Sequence, residues 1–313
     1  MKGLLSVALA GMFALTACGG PHGASSAIPG SATTQQHVRH PQLTGGQPLD
    51  VLGGAPSRLF SVALNLFDAP LNGFGDVKVN AGILGVDAID ASGDSWQLIA
   101  NAHPAVVNLL DLQDHPAKLG SGDLPAGTYP ALQLLLDPAT TNVTIFGRTF
   151  PVVFVDPNHP WWDPTQTVEA ITVPLAIAGN PGQSITASLD FNVFQSVNFV
   201  NGVIEVTPTV AAGIGDPAIT GKVVNAAGKP VANATIVATG ADGAVANTSV
   251  SGSDGSFHLH ALNPGGYTIS VANTFKTNAG ATVTASGADP GTPPTRYVVI
   301  GPNSQIDLGK LND

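Results

Sequence analysis

One stretch of this 313-residue chain leaves little choice of backbone. Ile185, Ala187, Leu189, Phe191 and Val193 alternate with Ser184, Thr186, Ser188, Asp190 and Asn192. Successive side chains change face only in an extended strand, so this pattern sets an apolar row on one side of a sheet and a polar row on the other. One face of that strand must be buried. The same period recurs at Phe60, Val62, Leu64 and Leu66, and again at Val77, Val79, Ala81 and Ile83. Further strands are expected over residues 106–112, 129–136, 143–146 and 152–155. Asp68-Ala69-Pro70 and Ser92-Gly93-Asp94 read as turns between them. With 37 Gly, 25 Pro and almost no helical period, the chain reads as all-β, and its length suits two β-sandwich-type domains.

The N-terminus carries a different signal. Lys2 is positive, an apolar run extends from Leu4 to Leu15, and Leu15-Thr16-Ala17-Cys18 closes it. Crossing a bilayer core takes about 20 apolar residues, so a run this short reads as a secretory signal that is removed. The Leu-Thr-Ala-Cys tetrad resembles the bacterial lipobox. That resemblance implies a lipoprotein signal peptide over residues 1–17 and a lipid on Cys18. Two or more acyl chains hold a membrane firmly where one does so only marginally, so such processing implies an anchored, non-spanning protein. By resemblance to the sorting rule of two-membrane bacteria, Gly19 in place of Asp after the lipidated cysteine implies sorting to the outer membrane or cell surface. Residues 18–56 are Gly/Ser/Pro-rich without apolar period and read as a flexible tether, with His37 and His40 solvated in it. Cys18 is the only cysteine, which leaves no internal disulfide and no cysteine-based zinc site.

Two family resemblances follow. Leu64-Asn65-Leu66-Phe67-Asp68-Ala69-Pro70, Val107-Asn108-Leu109-Leu110-Asp111-Leu112, Leu124-Pro125-Ala126-Gly127-Thr128-Tyr129, and Leu189-Asp190-Phe191 with Ser196 occur in that order. Together they resemble the bacterial domain of unknown function 4382, which implies an exported all-β domain over residues 57–214 and no biochemical activity. Phe67 stands where that family usually has Thr, and Asn192 where it often has Asp. These departures weaken a reading of acidic pairs there as cation ligands. After a break at Gly213-Ile214-Gly215-Asp216-Pro217 come Gly228-Lys229-Pro230, Asp254-Gly255-Ser256-Phe257 and Pro264-Gly265-Gly266-Tyr267. These resemble the carboxypeptidase regulatory-like domain, which implies a prealbumin (transthyretin)-like sandwich over residues 218–313. The Gly-Lys-Pro and Pro-Gly-Gly runs are expected to set turns needing positive or fixed φ, and Phe257 and Tyr267 to anchor the core. Residues 273–295 read as a low-complexity loop.

Chemistry is sparse. A net charge of −10 with 11 Lys and Arg argues against nucleic acid, which needs clustered cations. The resemblance to a carboxypeptidase module does not make a zinc protease. The two glutamates, Glu169 and Glu205, are preceded at the His-x-x-Glu spacing by Gln166 and Gly202, and at the His-Glu spacing by Val168 and Ile204. No Gly-x-Ser-x-Gly elbow or phosphate loop is present. An aspartate-based hydrolase is the remaining enzymatic reading, and the preferred one is no enzyme and no cofactor.

Three constellations stay as candidate sites. His258 and His260 flank Leu259 in a strand and would share a face, so they could join in holding Zn or Cu, or simply form a polar face. Asp87, Asp90 and Asp94 crowd a strand end and turn, as Ca²⁺ ligands or as ordinary turn aspartates. Trp161 and Trp162, between Asp156 and Asp163, form a Pro-bounded aromatic loop suited to stacking on a glycan or anchoring an envelope protein, or else to capping the core. The sequence thus suggests a surface binding or structural module, with carbohydrate suggested by fold analogy and a plain spacer as its rival.

Overall fold

The computed structural model describes residues 58–68, 76–112, 116–155, 167–272, 274–276, 282–284 and 295–312. The signal peptide and tether expected over residues 1–56 lie outside them. The strands are β1 (Leu59–Phe67), β2 (Val77–Ile89), β3 (Ser95–Asn108), β4 (Ala117–Pro125), β5 (Gly127–Leu136), β6 (Asn142–Ile145), β7 (Arg148–Phe154), β8 (Glu169–Gly179) and β9 (Ser184–Phe191). After a one-turn helix, Val193–Ser196, come β10 (Val197–Val200), β11 (Val203–Val206), β12 (Val210–Ile214), β13 (Ala218–Val224), β14 (Thr235–Gly240), β15 (Val245–Val250), β16 (Ser256–Leu259) and β17 (Gly265–Ala272). The last four are β18 (Thr274–Lys276), β19 (Thr282–Thr284), β20 (Thr295–Ile300) and β21 (Gln305–Asn312).

Alternation does what the sequence predicts in the first sandwich. A sheet ordered β12-β9-β1-β4 faces a larger one ordered β10-β11-β7-β6-β2-β5-β8, with β3 paired to β2. β1 runs parallel to β9, with Leu64 opposite Ala187 and Leu66 opposite Leu189, and antiparallel to β4. Their inward side chains close one core with Leu132, Leu134 and Leu136 of β5 and Ile177 of β8. Gly179 lets Phe60 lie against bare backbone: a Cβ there would fall 2.2 Å from the ring's Cγ. Two expectations change. The stretch 106–112 is the end of the 14-residue β3 followed by a 3-10 turn, Leu109–Asp111. β3 is exposed along much of its length, so it lacks the apolar contrast that marks a strand in sequence. β8 falls where no strand is expected, because of its outward positions Ala170, Thr172, Pro174, Ala176 and Ala178 only Thr172 is polar.

The second sandwich packs β16-β13-β21 on β15-β14-β17-β20 around Ile219, Val223, Ile236, Phe257, Leu259, Ile269 and Leu311. The chain over its described residues is therefore all-β, with two sandwiches and two cores. Phe257 and Tyr267 are core residues as expected, 0% and 6% exposed. Each sandwich has the same corner: Tyr129 Oη donates to Pro125 O at 2.9 Å and Tyr267 Oη to Asn263 O at 2.7 Å, four residues upstream in both. That bond lets a buried phenol keep a partner while its ring fills the core. Gly228 has the positive φ (74°) its turn requires. Gly265 and Gly266, by contrast, are residues of β17, and Gly266 is bare because Tyr297 lies over it: a Cβ there would meet the Tyr297 oxygen at 2.3 Å. Within residues 273–295, read as loop, β18 and β19 pair as a two-stranded ladder. No helix among the described residues is long and apolar enough to cross a membrane.

Candidate functional site at the seam between the sandwiches

Toward the end of β9 its polar row does not face water. Ser188 and Asp190 are 0% exposed and Asn192 2%, so the strand is buried on both faces. Phe67 pairs with Asp190 and Gly213 with Ser188, which brings all four onto the face turned toward the second sandwich. There Gly213 meets main chain directly: an added Cβ would sit 2.4 Å from Leu262 O and 2.6 Å from the Ala261 carbonyl carbon. Ala261 takes a φ of 52° at this point, a left-handed conformation costly for a residue with a Cβ.

Polar groups stitch the contact. Asn247 Nδ2 donates to Asp190 Oδ2 at 2.7 Å and to His260 O at 2.8 Å. Asn192 caps the one-turn helix, its Oδ1 accepting from Gln195 N, while its Nδ2 donates to Thr248 O at 3.1 Å and Thr248 Oγ1 at 3.0 Å. Gln195 Nε2 reaches the same hydroxyl at 2.9 Å. β15 is an edge strand, whose outward backbone groups would otherwise be open to pairing with another chain, and Asn192 occupies one of them. Phe67 stacks on His260 with ring centroids 4.1 Å apart and planes inclined by 16°. Ile214 N donates to Asn263 Oδ1 and Asp216 N to Asn303 Oδ1, fastening the connection between the sandwiches.

The electrostatics follow from burial. Removal from water pushes the Asp190 carboxyl up to about 6, against a smaller downward pull from the Asn247 amide. Asp190 Oδ1 accepts no hydrogen bond among the described residues. Burial also raises Asp216. Asp68, fully buried beside Phe67, accepts from Val193 N at 3.0 Å.

The sequence candidates fall in different places. His258 and His260 do come together, with centroids 6.0 Å apart, but His260 lies beyond the end of β16 and packs on Phe67. Asp87, Asp90 and Asp94 line the β2–β3 hairpin, where their oxygens serve the turn. Asp90 Oδ1 accepts from Ser92 N and Oγ and from Asp94 N, and its Oδ2 from Trp96 Nε1 at 2.8 Å. The Ser92 and Trp96 donors hold its carboxyl down at about 2. Asp87 accepts from Ser95 Oγ, and Asp94 from Ser92 Oγ. Among the described residues no three His, Cys, Asp or Glu side chains gather into a group able to hold a metal ion. Cys18, Asp156, Trp161, Trp162 and Asp163 lie outside the described residues. Sequence reasoning passes over Trp96, 41% exposed and oriented by Asp90, and over Asn247 and Thr248.

Comparison with known proteins agrees with this division. Residues 61–208 match the model of the domain of unknown function DUF4382, and residues 218–298 that of the carboxypeptidase regulatory-like domain. The two matches stand in tandem and follow the two sandwiches in order. The seam is thus the contact of the segment that matches DUF4382 with the one that matches the carboxypeptidase regulatory-like domain. Phe67 and Asn192, both of the first sandwich, touch the second. No curated protein matches the chain. Among solved structures, a proposed carbohydrate-binding protein of Pseudomonas aeruginosa is 18% identical, over 32% of this chain and 89% of its own, with a TM-score of 0.23. The Bacillus anthracis TIE protein is 12% identical over 81% of this chain and 34% of its own, and the major pilin subunit of Bacillus cereus 11% over 81% and 99%, both with TM-scores of 0.24. Likenesses this weak say nothing of what the tandem binds.

Proposed function

We propose that the chain is a non-enzymatic envelope lipoprotein, anchored by lipid on Cys18, whose two sandwiches work as one surface binding or structural module. The seam supports this most directly. Polar side chains that would line a cleft in an enzyme are closed here against a second domain, and they serve to join it. Asp68 and Asp190 are both 0% exposed in the docked structure, which speaks against their serving as a hydrolase's aspartates. The anchor places the unit at the outer membrane or cell surface, as Gly19 suggests. The reading requires no cofactor. Cells fed radioactive palmitate are expected to label the wild-type chain and not a Cys18→Ser variant; an unlabelled wild type would remove the anchor and the placement with it.

The finer part concerns the ligand. Trp161 and Trp162, with Asp156 and Asp163 beside them, supply indole faces of the kind that stack on sugar rings, so a cell-wall or capsule glycan is the proposed partner. The fragment from Arg58 onward is expected to be retained on such a polysaccharide, and the Trp161→Ala/Trp162→Ala double variant to lose at least about tenfold in retention, as loss of two anchoring aromatics implies. Equal retention of both proteins would favour the spacer.

A further inference from the structure

Asp190 lies fully buried at the contact between the two sandwiches. Its side chain points away from the first core, on the same face as Phe67 and Ser188, into the contact with β15. Oδ2 takes the Asn247 amide and Oδ1 takes no donor among the described residues. A neutral acid with one amide partner is tolerable in such a place. A carboxylate is not, because burying a charge without a counter-ion or a full set of donors costs far more than burying its protonated form. We propose that Asp190 makes the seam an acid-tightened joint: its neutral acid keeps the sandwiches docked, and loss of the proton favours a state in which β15 and residues 260–263 lift away and water reaches the carboxylate.

Burial sets the sign, and the titratable groups on the neighbouring elements are few. From the end of β1 comes Asp68, from the segment after β12 Asp216, and from the second sandwich His258 and His260; β12 presents Ala211 opposite it and β15 presents Asn247, neither of which titrates. Negative charge on Asp68 or Asp216 raises the cost of ionising Asp190. Protonation of His260 would oppose that effect, so the contribution of Asp190 must be isolated by substitution. Burial holds its carboxyl at about 6 in the docked state against the ordinary carboxylate value of 3.8, so the docked state holds the extra proton between those two values. Docking is therefore strongest below about pH 4, weakens as pH rises toward 6, and is then constant. The lifted-to-docked ratio should rise about 100-fold across that window, the factor that a difference of this size carries.

Hydrogen exchange on the full chain reads this directly. After correction for intrinsic rates, amides of residues 245–250 and 260–263 are expected to lose about 100-fold in protection from pH 4 to pH 7, while those of β5 and β14 hold. Asp190→Asn, which mimics the neutral acid in shape, should keep acid-like protection at pH 7. Unchanged wild-type protection across the window, or the same pH profile in Asp190→Asn, would overturn the proposal; the second result would assign the effect to Asp68, Asp216 or His260. Should Asp190→Asn fail to fold, a carboxyl-carbon NMR titration of the wild type decides the matter. A midpoint near 6 that moves together with the Asn247 amide supports the joint, and a midpoint below about 4.5 refutes it.

Discussion

Replacing Gly213 with alanine is expected to undock the two sandwiches while leaving both cores folded. The atoms that an added methyl would strike, Leu262 O and the Ala261 carbonyl carbon, are main chain at 2.4 and 2.6 Å, so no side chain can swing aside. The backbones must part by roughly an ångström to restore ordinary contact distances. At that separation the bonds from Asn247 to Asp190 and from Asn192 to Thr248, now 2.7 to 3.1 Å, are broken or exchanged for water. Overpacking of this kind costs about 1–3 kcal/mol. The lost seam bonds add to it, since polar groups left buried without partners are penalised further. Calorimetry is expected to show one unfolding transition in the wild type and two in Gly213→Ala, the new one belonging to the carboxypeptidase regulatory-like domain. A single transition at the wild-type temperature would mean that the close approach is not what couples the domains.

Phe257→Ala should have the larger local effect. The ring is 0% exposed at the centre of the second core, and it lies over Gly221, where a Cβ would stand only 2.8 Å from Cε1. The bare strand beneath it has no side chain that could relax into the space, so truncation leaves a cavity. Buried Phe→Ala changes cost about 3–5 kcal/mol, against a total stability of about 5–15 kcal/mol for a whole protein. Urea unfolding followed by domain-resolved hydrogen exchange should show β13, β14, β16 and β17 losing protection at much lower denaturant in the variant, with β1, β5 and β9 little changed. Loss of protection in both sandwiches together would show that neither core stands without the other.

Much of the fold was legible because burial leaves a period-2 trace wherever only one face of a strand is covered. β1, the start of β2, and β5 through Leu132, Leu134 and Leu136 show that trace, and their apolar rows are the first core. β3 and β8 do not: one is exposed on both faces over much of its length, and the other carries alanine and proline on its outer face. The turn glycines divide in the same way. Gly228 shows its purpose locally through a positive φ, whereas Gly266 owes its bareness to Tyr297, thirty-one residues away in sequence and adjacent only across the sheet.

The candidate site was the least legible part. Asp90 looked like one of three pooled carboxylates, yet the hairpin spends it on Ser92, Asp94 and Trp96. His260 looked like half of a metal pair and is a stacking partner for Phe67. Taken alone, the residues determined an all-β chain and the apolar rows of its core strands, because local extension and one-sided burial are properties of a strand and its own side chains, while the two sandwiches in order followed from the family resemblances. Only the tertiary structure decided that the polar row Ser188, Asp190 and Asn192 is buried as well. A polar side chain has the same identity whether water or a second domain satisfies it, and which of the two does so depends on a surface nearly sixty residues further along the chain.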